Sequence, residues 1–140
     1  MPHPAMPREC FDYFGCSDQI RILERHTRYR EVFAISRLIV TDYSSAVFDF
    51  AYLKKPVLYY QADVEEFFSG KHVCRKGYFD YERDGFGEVS YTAAELVERL
   101  IAYMQNGCRM KDLYRKRVED TFPYNDCRNC ARVYEEVRKL

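Results

Sequence analysis

The apolar positions of this chain change period repeatedly, from short β-branched runs to helical spacing and back, which is the pattern of α/β units with parallel strands. Ile20-Arg-Ile-Leu23 predicts a short strand. From about Thr27 to Ser36, Val32, Phe33 and Ile35 gather apart from Arg28, Arg30 and Glu31, which predicts a short helix. Leu38-Ile-Val-Thr41 is the compact run that a buried parallel strand needs, and Asp42-Tyr-Ser-Ser45 follows at its carboxyl end. From Ser45 onward Ala46, Val47, Phe48, Phe50, Ala51 and Leu53 keep helical spacing until Lys54-Lys-Pro56 stops it. Pro56-Val-Leu-Tyr-Tyr60 is the next predicted strand, so strand, turn, helix and strand make one βαβ unit.

The stretch from Gln61 to Gly87 is the least regular and reads as loop with a short helix near Val64 to Phe68. Glu88-Val-Ser-Tyr91 predicts a last strand. Thr92-Ala-Ala-Glu95 then has the spacing of a capping box, opening an amphipathic helix through Leu96, Val97, Leu100, Ile101 and Met104 that Asn106-Gly107 closes. Two further helices are predicted at about Met110 to Thr121 and Cys127 to Lys139, separated by Phe122-Pro-Tyr-Asn125. There is no internal repeat. The fold class that follows is α/β, a Rossmann-like parallel sheet with flanking helices.

At 140 residues the chain fits one domain, and 47% hydrophobic with 16% aromatic residues supply a real core. Equal numbers of basic and acidic side chains, 22 of each, argue against gripping nucleic acid by bulk charge. No apolar run reaches the roughly 20 residues of a membrane span. The residues from Met1 to Pro7 lack the charged and apolar regions of a leader, so the expected location is cytoplasmic. Six cysteines then read as reduced thiols, since Cys127 and Cys130 lack the second pair or spaced histidines of a structural zinc site. No metal and no cofactor is expected. The basic segment Arg109, Lys111, Arg115, Lys116 and Arg117 reads as a solvated helix face, with contact to anionic lipid or a polyanionic acceptor as its functional alternative.

Ligands of open parallel sheets gather at the carboxyl ends of strands, where Thr41-Asp-Tyr-Ser-Ser45 lies. Two serines at the start of a helix offer hydroxyls beside unpaired backbone N–H groups, a setting that suits phosphate. The same serines can simply cap the helix, and both roles can hold together. Asp49 lies one turn beyond Ser45 on the same face, placed to accept a hydrogen bond from a sugar or glycerol hydroxyl or to complement the helix dipole.

Thr41-Asp-Tyr-Ser-Ser-Ala-Val-Phe-Asp-Phe50 followed by Leu53-Lys-Lys-Pro-Val-Leu-Tyr-Tyr60 resembles the C-terminal nucleotide-binding domain of the CDP-glycerol glycerophosphotransferase family of teichoic acid synthesis. Pro2-His-Pro4, Gly77-Tyr-Phe-Asp-Tyr81, and Pro123-Tyr-Asn-Asp126 with Asn129 and Arg132 resemble further elements of that family, in the same order. The resemblance implies transfer of glycerol phosphate, or ribitol phosphate in relatives, from a CDP-alcohol to a hydroxyl of a membrane-linked polyol phosphate or glycan acceptor. It also implies a GT-B architecture with the donor in a cleft between two Rossmann-like domains, and a position on the inner face of the cell membrane. Carried over by motif, His3 faces the pyrophosphate as the catalytic group; Thr41, Asp42, Ser44 and Ser45 form the substrate-binding turn; Asp49 holds a donor hydroxyl.

Two departures stand out: Gly85-Phe-Gly87 occupies the place of a Pro-Gly-Pro-like turn, and Lys71 to Lys76 departs from the common spacing. The family's N-terminal domain and the first two strands of its C-terminal domain find no counterpart. The missing strands are expected between Ile20–Leu23 and Leu38–Thr41, leaving a gap in the sheet. The expectation is therefore a single truncated domain over residues 1–140, inactive alone, that needs a missing N-terminal domain or self-association. The competing expectations are a nucleotide-binding module without turnover and a structural remnant that needs a partner chain.

Overall fold

The computed structural model describes residues 7, 9–10, 15, 17–23, 27–69 and 77–140. The chain divides into two compact units, Met1–Ser36 and Arg37–Leu140. In the first, helix α1 spans Tyr29–Ile35, and Ser36 ends it by directing both its backbone N–H and its hydroxyl to the Val32 carbonyl, at 2.9 and 2.7 Å. Phe33 is the buried residue of that helix and its ring meets Tyr29 at 5.5 Å. The strand expected at Ile20–Leu23 does not form. Ile20 makes only an isolated antiparallel bridge with Ser17, and Arg21 to Leu23 lie in no strand. The Ser17 hydroxyl accepts the N–H groups of both Gln19 and Ile20 at 3.2 Å, so a side chain supplies locally the partners a strand would have needed from a neighbour.

The second unit is built on a three-stranded parallel sheet in the order β1-β2-β3, with β1 at Ile39–Thr41, β2 at Val57–Tyr60 and β3 at Gly87–Ser90. Ile39 pairs with Val57 and Val57 with Gly87, so one row of residues crosses the whole sheet. Strand β2 is central, and Val57, Leu58 and Tyr59 have no exposed surface. This is why its sequence is a continuous apolar run rather than an alternation.

Helix α2, Ala46–Tyr52, connects β1 to β2 and buries Val47, Phe50 and Ala51, the residues spaced at three and four positions in the sequence. Removing a side chain such as Phe50 from water contributes about 1.5–3 kcal/mol. The helix ends where Lys54 enters the left-handed region, with φ of 55°, two residues before Pro56. Its ammonium reaches Glu119 at 2.8 Å.

Between β2 and β3 the chain forms helix α3, Val64–Phe67, and a tight turn at Asp80–Asp84 in which Asp80 Oδ1 accepts the N–H groups of Glu82 and Arg83. The two glycines that follow have a steric reason. A β-carbon at Gly85 would overlap the Tyr81 carbonyl, and one at Gly87 would overlap the Val57 carbonyl across the sheet.

Helix α4 runs over Ala93–Gln105 and opens with the expected capping box: Thr92 Oγ1 accepts the Glu95 N–H at 3.2 Å and the Glu95 carboxylate accepts the Thr92 N–H at 3.4 Å. Gly107 closes it with φ of 67°, and the Arg37 guanidinium donates to its carbonyl at 2.7 Å. Tyr103 of this helix is buried and donates to Glu88 of β3 at 2.8 Å. Helix α5, Asp112–Thr121, buries Val118, while α6, Asn129–Val137, has no buried residue. Among the described residues no helix is long and apolar enough to cross a membrane.

Candidate functional site

The turn Asp42–Ser45 leaves the carboxyl end of β1 and enters α2, so it lies on the sheet edge where an α/β fold collects ligands. Asp42 Oδ1 accepts the Ser44 N–H at 3.2 Å, and Ser44 Oγ accepts the Ala46 N–H at 3.3 Å. These two local bonds fold the turn back on itself. Ser45 occupies the N-cap position, but its backbone is already helical, at φ of −66° and ψ of −16°, and its side chain makes no capping bond. Of the two serines, the first has its oxygen engaged by the backbone. Among the described residues no hydrogen bond engages the Ser45 hydroxyl, which is exposed. Asp49 follows one turn later on α2 and is also exposed, while Thr41 is half-buried at the last position of β1. The structure thus brings Thr41, Asp42, Ser44, Ser45 and Asp49 together in one continuous strand, turn and helix. His3 lies outside the described residues, as do Pro2-His-Pro4 and Lys71–Lys76.

What holds this turn was not read from the sequence. Tyr43, at its centre, stacks on Phe67 of α3 with ring centroids 3.6 Å apart and planes 11° from parallel. Phe68 and Tyr81 meet the same ring edge-on at 5.6 and 5.9 Å. The Tyr43 hydroxyl donates to Asp63 Oδ1 at 2.9 Å, and its carbonyl accepts from the Tyr81 hydroxyl at 3.3 Å. Burial first, then the Asp63 hydrogen bond and the nearby carboxylate charges, push the Tyr43 phenol well above the ordinary tyrosine range, so it stays a donor. The signal for this clamp is the pair Phe67-Phe68 at the end of the short helix expected near Val64 to Phe68, whose partner could not be identified without the fold.

The basic segment divides in the structure. Lys111 pairs with Glu88, and Arg117 donates to the Gly85 carbonyl at 2.8 Å, so these two hold α5 to the rest of the unit. Arg109, Arg115 and Lys116 are exposed.

A parallel sheet carrying a serine turn and an acidic residue at the carboxyl end of its first strand defines an α/β domain with a ligand edge. Comparison with known proteins sharpens that class: residues 1–139 match the model of CDP-glycerol:poly(glycerophosphate) glycerophosphotransferase, and the chain belongs to this family. It is 39% identical over 139 residues to the minor teichoic acid biosynthesis protein GgaB of Bacillus subtilis (strain 168), covering 99% of this chain and 15% of that protein. The teichoic acid glycerol-phosphate transferase of Staphylococcus aureus (strain NCTC 8325 / PS 47) is 28% identical over 109 residues, 68% of this chain and 27% of that one. The fold matches a solved structure of the wall teichoic acid polymerase TagF, a histidine-to-alanine variant, with a TM-score of 0.67 and 19% identity, over 96% of this chain and 33% of that chain. The chain thus spans between about a seventh and a third of the length of these relatives.

Proposed function

We propose that this chain is the donor-binding portion of a transferase that moves glycerol phosphate, or ribitol phosphate, from a CDP-alcohol to a hydroxyl of a teichoic-acid-type acceptor. The observation that carries the reading is the exposed Ser45 hydroxyl, uncommitted among the described residues, at the carboxyl end of β1 in a chain whose family model covers 139 of its 140 residues. In the reaction an acceptor oxygen attacks the phosphorus that bears the glycerol, the bond from that phosphorus to the bridging oxygen breaks, and CMP departs while the acceptor loses its proton. Charge grows on the departing phosphate, so catalysis needs fixed donors aimed there more than a covalent partner. Ser45, with Ser44 and Thr41, supplies hydroxyl donors to the pyrophosphate in this reading. Asp42 shapes the turn by accepting the Ser44 N–H, and Asp49 accepts from a glycerol hydroxyl. His3 is assigned the charge-stabilising or proton-donating role that an imidazole fills near neutral pH.

This portion binds the donor without turning it over. The relatives are about three to seven times longer, and this reading assigns the second wall of a GT-B cleft and acceptor binding to polypeptide outside the portion described. Exposed Arg109, Arg115 and Lys116 provide the local positive charge for peripheral contact with an anionic membrane or acceptor.

Calorimetric titration with CDP-glycerol, CDP-ribitol and CDP tests the reading. Binding of one CDP-alcohol, weakened about tenfold by Ser45→Ala with an unchanged unfolding midpoint, supports it. Absence of binding to all three would leave a structural remnant as the better account. Turnover by the isolated chain would show that it is more than a donor-binding portion.

A further inference from the structure

The residue at the end of the central strand carries an unexplained polar group. Gln61 is 2% exposed, and its Nε2 is buried without a hydrogen-bond partner among the described residues. A buried unsatisfied amide costs about 1–3 kcal/mol, and native folds leave few of them. The backbone around it is fully engaged: the Gln61 N–H extends the β2–β3 ladder to the Ser90 carbonyl at 2.9 Å, and its own carbonyl accepts the Val64 N–H at 3.3 Å. The side chain is therefore held by a fixed corner.

That corner adjoins the serine turn. Thr41 pairs with Tyr59 across β1 and β2, so Tyr43 and Gln61 each lie two residues beyond a matched pair at the carboxyl edge. Two residues past Gln61, Asp63 accepts the hydrogen bond from Tyr43, and Phe67 takes the stack of the same ring. The turn after β1 and the corner after β2 are thus locked together by Tyr43.

Resting on the donor-binding reading above, we infer that the β2 corner is the second wall of the same site, and that Gln61 Nε2 donates a hydrogen bond to an acceptor atom of the CDP-alcohol. A neutral N–H suits a phosphate oxygen, a glycerol oxygen or a pyrimidine carbonyl equally well. Burial already restricts the side chain, so little rotamer freedom is lost on binding.

Gln61→Leu removes the donor at similar size. Because Nε2 makes no bond among the described residues, the thermal midpoint is expected to hold or rise, while the CDP-glycerol Kd weakens about tenfold. A parallel readout needs no variant. The chain has three glutamines, at 19, 61 and 105, so side-chain ¹⁵N labelling of glutamine gives three amide signals, and that of Gln61 is expected to move on adding CDP-glycerol. Gln61→Met assigns the signal, and the wild-type shift decides the matter if Gln61→Leu does not fold. Titrating CDP and glycerol 3-phosphate separately shows which half of the donor the amide meets. If wild type binds CDP-glycerol while the Gln61 signal stays still and Gln61→Leu binds within twofold, the inference is wrong and the donor-binding reading stands. If wild type binds none of these probes, both fall.

Discussion

Gly87 and Val57 face each other across the β2–β3 ladder with no room for a side-chain carbon between them, because a β-carbon at Gly87 would overlap the Val57 carbonyl oxygen. That oxygen belongs to the backbone of the central strand and cannot swing aside. Gly87→Ala must therefore displace β3 from β2, and the expected loss is about 2–3 kcal/mol, the range of an overpacked core. Urea unfolding followed by far-UV circular dichroism measures it. A loss below about 0.5 kcal/mol would mean that the strands separate at no cost.

The same pair gives a steric reason for one departure of the sequence from its family pattern. Gly85-Phe-Gly87 is visible as a glycine-rich segment, but the overlapping carbonyls, Tyr81 and Val57, come from different parts of the chain. Where partners are local in sequence, the reading is close to the structure: the Thr92–Glu95 capping box, the Gly107 closure and the switch from the β1 run to α2 are set by neighbouring residues. Ile20–Leu23 shows the limit, since a short apolar run carries no mark of whether another strand lies alongside it. The candidate site divides in the same way. Thr41 to Asp49 is one continuous motif, whereas Tyr43, Asp63, Phe67 and Tyr81 converge only through the β1–β2 pairing.

Helix α4 depends on its first turn. Thr92 and Glu95 satisfy each other's backbone N–H groups, and the Glu95 carboxylate also accepts the Tyr91 N–H at 2.9 Å. Thr92→Ala is expected to cost about 1 kcal/mol. The urea midpoint should fall with no change in the denaturant slope, because the surface exposed on unfolding is unchanged. Thr92→Ser, which keeps the accepting oxygen, should recover most of the loss.

Alkaline stability should report on Tyr59. Burial pushes its phenol up to about 12, although the Phe86 N–H, which the hydroxyl accepts at 3.3 Å, pulls the other way. Below about pH 10 the phenol is protonated in both folded and unfolded chains, and its contribution is fully present. Between about 10 and 12 the unfolded chain releases the proton while the folded chain keeps it, so stability falls as pH rises, by at most about 1.4 kcal/mol per pH unit for one proton. Tyr59→Phe should be less stable at neutral pH, because the Phe86 N–H loses its acceptor, yet show a shallower decline above pH 10. Urea titrations at pH 9, 10 and 11 compare the two slopes. Parallel slopes would remove Tyr59 from the account and leave the other buried tyrosines, such as Tyr103, to carry the alkaline loss.

Lys54 combines an unfavourable backbone with a favourable side-chain contact, and two substitutions separate them. Its φ of 55° places a residue with a β-carbon in the left-handed region, at a cost of about 1 kcal/mol relative to glycine. Its ammonium meets Glu119 at 2.8 Å, but the two side chains are 41% and 52% exposed, so solvent screens the pair and its contribution is small. Lys54→Ala and Lys54→Gly both delete the ion pair, and only the glycine relieves the backbone. Lys54→Gly is therefore expected to be more stable than Lys54→Ala by about 1 kcal/mol, and at least as stable as wild type. Adding 0.5 M salt to wild type tests the other half, since screening should weaken the pair without touching the backbone term. Equal stability of the glycine and alanine variants would mean that the end of α2 relaxes away from the left-handed geometry once the lysine side chain is gone.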